Sequence, residues 1–162
     1  MRAITLWQPW ASLIAAGGKK YETRSWETNY RGPIAIHASK KTVSSILDEI
    51  FGWKASDERK AFVQKVREIT RIGVIYDLPR GAVIATAKLI GCYEIKACTS
   101  TCGPGYGYVN IPEKIISPNS DEYLFGGWTP GRFAWEFSGV TILPEPIPAK
   151  GRQGLWTLSE AI

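Results

Sequence analysis

Lys19, Lys20, Glu22 and Arg24 fall within one short stretch, "KKYETRSW", between Tyr21 and Trp26. A carboxylate set among cations stays ionised. Glu22 is then a hydrogen-bond acceptor, or the group that holds Lys19 and Arg24 for a phosphate or a carbonyl. Buried away from the cations, it becomes a general base near neutral pH. Lys19 and Glu22 are therefore the catalytic candidates, Lys19 as base or electrostatic stabiliser. The competing reading is a structural ion-pair cluster, since charge clusters of this kind also close folds.

Further along, His37 and Lys40 in "IHASK" add the only imidazole and another cation. An unperturbed histidine titrates near neutrality, while a lone histidine also serves as a hydrogen-bonded packing residue. Gln8 offers a donor and an acceptor to a base edge, or caps the helix that follows it. Trp10 and Trp26 are candidate stacking surfaces, as are Trp7, Trp135 and Trp156, at about 1–3 kcal/mol per stacked base. Most of these rings belong to the core by the ordinary behaviour of large aromatics. Arg152 and Gln153 sit in "GRQG", where two glycines let backbone approach a ligand or simply make a hairpin turn.

The elements that must position these residues follow from periodicity. Residues 1–6 read as a strand. Pro9 suits a first helical turn, and Trp10, Leu13 and Ile14 form one apolar face. Gly17 and Gly18 then supply a left-handed stop. "KKYETRSW" begins extended, which puts Lys20, Glu22 and Arg24 on one face and Lys19, Tyr21 and Thr23 on the other. Lys19 and Glu22 therefore share a cavity only if the backbone twists after Gly18. "PIAIHAS" reads as a half-buried strand. Two helices are expected next: one capped by Thr42 with Val43, Ile46, Leu47 and Ile50 inward, and one with Phe62, Val63, Val66 and Ile69 as its stripe. "GAVIATAKLIGCYEI" is a long strand run broken at Gly91. Residues 99–130 look like a Gly- and Pro-rich rim. "RFAWEFSGVTILPEPIP" reads as strand, glycine turn, strand, and "KGRQGLWTL" as a turn and a closing strand.

Length and charge bound the remainder. A chain of 162 residues with 44% hydrophobic content is expected to form one domain with a real core. Residues 1–41 hold seven Lys/Arg and two acids, a balance of +5, and the remaining 121 residues balance to zero. Such asymmetry points to a polyanion partner. The cysteines Cys92, Cys98 and Cys102 are odd in number, and C-x5-C with C-x3-C matches no zinc pattern. Structural, reduced thiols in a cytoplasmic protein are the expectation, with no metal or cofactor. No apolar run approaches the roughly 20 residues of a membrane span.

"LWQPWASLIAAGGKKYETRSW" resembles the opening of an ASCH domain, a module named for homology to a transcriptional coactivator. The family signature G-x-K-x-x-E-x-R is met by Gly17, Lys19, Glu22 and Arg24. "IAIHASK", "GAVIATAKLIGC" and "GRFAWEFSGVTILPEPIPAKGRQGLW" resemble later segments in the same order, so the likeness covers most of the chain. Residues 42–77 and 99–130 read as insertions relative to the shortest members. The resemblance implies an α+β fold: a PUA-like, partly closed β-barrel with flanking helices and a helical insertion around 42–72. It also implies an association with RNA, often at modified bases. Small bacterial members hydrolyse N4-acetylcytidine using a signature lysine, a signature threonine and a distant glutamate. The lysine corresponds to Lys19, but Glu22 stands at the threonine position, and a carboxylate does not replace a hydroxyl without a different mechanism.

Three readings follow. The first is a module that binds RNA or a modified nucleotide through Gln8, Trp10, Arg24, Trp26, His37, Lys40, Arg152 and Gln153. The second is a hydrolase acting on an N-acylated base or on RNA. A cleaving version draws on Lys19, His37 or Tyr21 to activate a ribose hydroxyl. The third is a protein-interaction module in transcriptional coregulation. Binding leads, because it needs only charge and aromatics.

Overall fold

The computed structural model of the chain describes residues 1–53, 56–97, 109–112 and 114–159. In chain order the elements are β1 (Arg2–Leu6), α1 (Trp10–Ala15), β2 (Tyr21–Arg24), β3 (Gly32–Ala38), α2 (Val43–Phe51) and α3 (Asp57–Thr70). They continue with β4 (Ala82–Glu94), β5 (Lys96–Ala97), β6 (Val109–Ile111), β7 (Lys114–Ile116), α4 (Asp121–Leu124), β8 (Phe133–Pro148) and β9 (Leu155–Thr157). One sheet has the order β2-β8-β4-β3-β1-β9 and a smaller one the order β5-β6-β7. The class is α+β of the expected PUA-like kind, and the helical insertion is present as α2 and α3.

Two compact units divide the chain. The first comprises Met1–Gly18, Pro33–Ala87 and Gly139–Ile162; the second comprises Lys19–Gly32 and Lys88–Ser138.

In the first unit β1 and β3 run parallel, from Arg2↔Ile34 to Leu6↔Ala38, and β9 pairs antiparallel with β1. Ala3, Ala35, Val83, Trp156 and Leu158 form one core cluster. β3 departs from the half-buried expectation: Ile34 through Ala38 are all buried, so both faces of the strand are covered. Thr42 and Ser56 cap α2 and α3 by accepting from the N–H groups of Ser45 and Arg59. Val43, Ile46 and Leu47 turn inward as expected, but Ile50 is 47% exposed. The contact with α3 passes instead to Phe51, whose ring lies 5.3 Å from that of Phe62.

α1 ends as a Schellman motif. Gly17 N–H bonds Ile14 O at 3.0 Å and Gly18 N–H bonds Leu13 O at 2.9 Å, satisfying carbonyls that the last turn leaves open. Only Gly17 is left-handed, with φ +77°. Gly18 is needed for a different reason, because a Cβ there would run into the Ile69 side chain on α3.

In the second unit Tyr21, Ile95, Ile111, Ile116, Trp128 and Ala134 make the core. Residues 109–128 are not a plain rim. They form β6, β7 and α4, and bury Trp128, which donates to Glu122 O at 2.9 Å. Residues 98–108, with Cys98 and Cys102, lie outside the described residues.

Two expected breaks are absent. β4 runs through Gly91, whose lack of a side chain leaves room for the Tyr93 ring. β8 runs through Gly139, which takes φ +56°. A single left-handed residue bends a strand without reversing it.

The two glycines ending α1 make separable predictions. Gly17→Ala is expected to cost about 1–2 kcal/mol from conformation alone. Gly18→Ala is expected to cost about 1–3 kcal/mol from overpacking. Adding Ile69→Ala should offset part of the second cost and none of the first, in a double-mutant cycle read by urea denaturation.

Candidate functional site

Four segments of the first unit meet at the carboxyl ends of β1 and β3. Ser39 N–H donates to Leu6 O at 2.8 Å, Gly81 N–H to Ala38 O at 2.7 Å, and Ala149 N–H to Gly81 O at 3.0 Å. The Gln8 amide donates to Pro79 O at 2.7 Å. Residues 5–9, 37–41, 78–82 and 148–153 are thereby drawn together. They hold Lys40, Lys41, Arg80, Lys150 and Arg152 and no Asp or Glu, with Asp77 just beyond. Lys40, Arg80, Lys150 and Arg152 are exposed. Lys41 is half-buried, pairs with Glu49 of α2, and holds its Nζ 3.9 Å from the ring centroid of Trp7.

Beneath these cations lies His37, 1% exposed. Its Nε2 is 3.0 Å from Ala149 O, so Nε2–H is the donor and Nδ1 keeps an acceptor lone pair. Nδ1 has no hydrogen-bond partner. The imidazole packs edge-on against Trp156 at 5.7 Å, and Trp156 Nε1–H donates to Thr5 Oγ1 at 3.0 Å. A Cβ on Gly151 would lie 2.5 Å from His37 Cε1 and 2.8 Å from Thr5 Oγ1. The "GRQG" turn therefore reaches His37 only because residue 151 is glycine. Burial pushes the His37 pKa below its usual value, and Lys40 lowers it further against the opposing bond to Ala149.

Gln8 is buried and committed to helix capping. Its Oε1 accepts from Ser12 N–H at 3.1 Å and its Nε2 donates to Ser12 Oγ at 2.8 Å. Trp10 is half-buried, its ring 6.2 Å from Phe62. Of the expected ligand-binding residues in this unit, Lys40, Arg152 and Gln153 face solvent; Gln8, Trp10 and His37 are engaged inside. Arg80 and Lys150 were not legible as site residues. Each is a single cation beside a glycine or proline, and only the hydrogen bonds through Gly81 bring them to Lys40.

Lys19, Glu22, Arg24 and Trp26 belong to the second unit. Tyr21 and Thr23 are buried, and Glu22 and Arg24 half-buried, as the strand parity requires. Lys19 is turned inward, donating to Tyr21 O and lying 3.6 Å from Glu122 Oε1. Glu22 instead meets Arg24, Oε1 to Nε at 3.3 Å. The two catalytic candidates thus engage different partners. Glu122 also accepts from Lys20 N–H at 2.8 Å and Tyr21 N–H at 3.1 Å. Glu136 accepts from Tyr21 OH and Tyr93 OH, both at 3.0 Å, and pairs with Lys20 Nζ at 2.7 Å. Burial pushes the Glu136 pKa up, but these three bonds outweigh it and hold it below the usual carboxylate value. The Tyr21 phenol moves far above its ordinary value through burial and the Glu136 carboxylate. Thr23 Oγ1 accepts from Gly127 N–H at 2.8 Å. Trp26 is partly exposed, its ring edge-on to Trp135 at 4.5 Å.

The N-terminal excess of charge is therefore partly neutralised by ion pairs. Lys19, Lys20, Arg24 and Lys41 meet Glu122, Glu136, Glu22 and Glu49. Among the described residues no three His, Cys, Asp or Glu gather as a metal site, and no helix is long and apolar enough to cross a membrane.

The sequence profile of the ASCH domain matches residues 4–115. The chain belongs to the ASCH family. Activating signal cointegrator 1 of Homo sapiens is 25% identical over 165 aligned residues, covering 98% of this chain and 22% of that protein. The Mus musculus protein of the same name is 28% identical over 103 residues, covering 60% of this chain and 14% of its own length. This ASCH chain spans less than a quarter of either relative.

His37 offers a direct test, being the only histidine. Its folded-state pKa lies below 6.5, so the unfolded chain binds its proton first. The stability it contributes is complete above that value and falls as pH drops below it. An NMR titration of the single imidazole should show a midpoint under 6.5. The urea midpoint should fall on acidification below pH 6.5, less steeply in His37→Gln.

Proposed function

We propose that this ASCH domain binds RNA or a modified nucleotide, with phosphates held by the cation cluster of the first unit. The supporting observation is the charge distribution there: five Lys/Arg and no Asp or Glu in four hydrogen-bonded segments, four of the cations exposed and the fifth, Lys41, paired with Glu49 of α2. The family's general link to RNA points the same way. Lys and Arg on phosphates displace condensed counterions, so affinity falls as salt rises. A reducing, cytoplasmic setting is consistent with the free thiol of half-buried Cys92, whose pKa is raised by burial.

A second reading, hydrolysis of an N-acylated base, is favoured by one contact. Lys19 meets a glutamate distant in sequence, Glu122, in the manner of the lysine and distant glutamate of the bacterial amidohydrolases. The hydroxyl of that chemistry has no counterpart at Glu22, and Thr23 Oγ1 is held by Gly127.

Single-stranded RNA should bind with a negative salt slope. Lys40→Ala with Arg152→Ala should shallow the slope by about 0.7 for each phosphate that the variant no longer neutralises. A salt-independent affinity would sink the binding proposal. Incubation with RNA carrying one N4-acetylcytidine, read by intact mass, should leave it unchanged. Loss of acetyl from the wild type and not from Lys19→Ala would instead establish the hydrolase.

A further inference from the structure

The tryptophan beside the cations bears on which nucleic acid this cluster accepts. Trp7 follows β1 directly and is 45% exposed. Its backbone is fixed on both sides. The preceding Leu6 O accepts from Ser39 N–H, Trp7 O accepts from Ala11 N–H at 3.1 Å, and the Gln8 that follows is locked to Ser12 and Pro79. The Lys41 ammonium covers one side of the ring, 3.9 Å from its centroid, and Glu49 holds that ammonium in place. The indole is thus braced from beneath by a cation and left accessible to solvent. Lys40, next in the chain to Lys41, takes Arg80 Nη1 on its carbonyl at 3.5 Å, so exposed phosphate-binding charge begins one residue from the brace.

We propose that Trp7 is the stacking platform for one unpaired base of a strand whose phosphates lie on Lys40, Arg80 and their neighbours, so that the site selects single-stranded over duplex nucleic acid. This rests on the nucleic-acid reading above and adds the strandedness and the residue that imposes it. A base inside a duplex has both faces stacked already and cannot use the indole. A base in a single strand can, and stacking on an aromatic side chain tolerates any sequence. Lys41 acts as a positioning residue: its charge is taken up by Glu49 and the ring, not by a phosphate.

The test is a titration of the full chain with a labelled single-stranded RNA of about 12 nucleotides, its duplex, and the matching single-stranded DNA, at two salt concentrations. The wild type is expected to bind the single strands at least about fivefold tighter than the duplex. Trp7→Ala should lose about 5- to 150-fold for single strands with the salt slope unchanged. Trp7→Phe, which keeps a ring at the site, should retain most of the affinity and guards against misfolding. Lys40→Ala should instead shallow the slope. RNA against DNA reports whether the sugar contributes. Equal affinity for single strand and duplex, or a Trp7→Ala affinity within about twofold of wild type, overturns the platform while leaving phosphate binding standing. Failure of every nucleic acid to bind overturns both.

Discussion

The N–H of Gly81 donates to Ala38 O at 2.7 Å and approaches Ser39 O at 3.3 Å, while its carbonyl accepts from Ala149 N–H at 3.0 Å. These bonds join the end of β3 to the start of β4 and to the segment after β8, and the cation cluster depends on them. Gly81 holds φ +66°, a conformation that L side chains adopt only with strain. A Cβ there would also press on Lys40 Cγ at 2.9 Å. The Lys40 chain can yield to such a contact; the backbone angle cannot. Conformation is therefore the governing constraint. Arg80 reaches Lys40, and Ala149 reaches His37, because this one residue turns as it does.

Positive charge is treated in opposite ways at the four exposed cations of the first unit and in the β2 segment of the second. In the second, Lys19 and Lys20 are brought to Glu122 and Glu136, and Arg24 to Glu22. A cation as buried as Lys19 requires such partners. In the first, Lys40, Arg80, Lys150 and Arg152 stay in water, where their mutual repulsion is screened. His37 beneath them is kept neutral by burial and by Lys40, which avoids a further charge that has no carboxylate to meet it. A phosphate arriving at this surface relieves repulsion, and the paired cations of the second unit have little to gain from one.

How much of this was legible follows from the range of each signal. Caps, helix stripes and the strand parity of residues 20–24 depend on neighbours in sequence, and each is found as expected at Thr42, Phe62 and Glu22. Gly91 and Gly139 misled because a glycine in a strand marks a break, a close packing or a bend with the same letter. Gly91 serves the Tyr93 ring and Gly139 bends β8. Charge was legible in total but not in place. Glu122 and Glu136 stand about a hundred residues from the lysines they meet, and no local pattern announces them. Arg80 and Lys150 were hidden for the converse reason: isolated cations become a cluster only across a sheet end.

For Tyr21, Cys92, Lys19 and His37, a catalytic role would need both a reactive lone pair and access to substrate. The Tyr21 phenol is held protonated by burial and Glu136, and the Cys92 thiol is raised by burial. Lys19 Nζ is committed as a donor to Tyr21 O beside Glu122. His37 Nδ1 has the lone pair and the neutral ring, yet it lies under Gly151 with the imidazole 1% exposed. Opening the "GRQG" turn far enough to use it would also disturb the bond from Nε2 to Ala149. Phosphate and base recognition asks for nothing of this sort. The proposed recognition needs only exposed cations and an accessible ring, and Lys40, Arg80, Arg152 and Trp7 are exposed on segments joined by backbone hydrogen bonds.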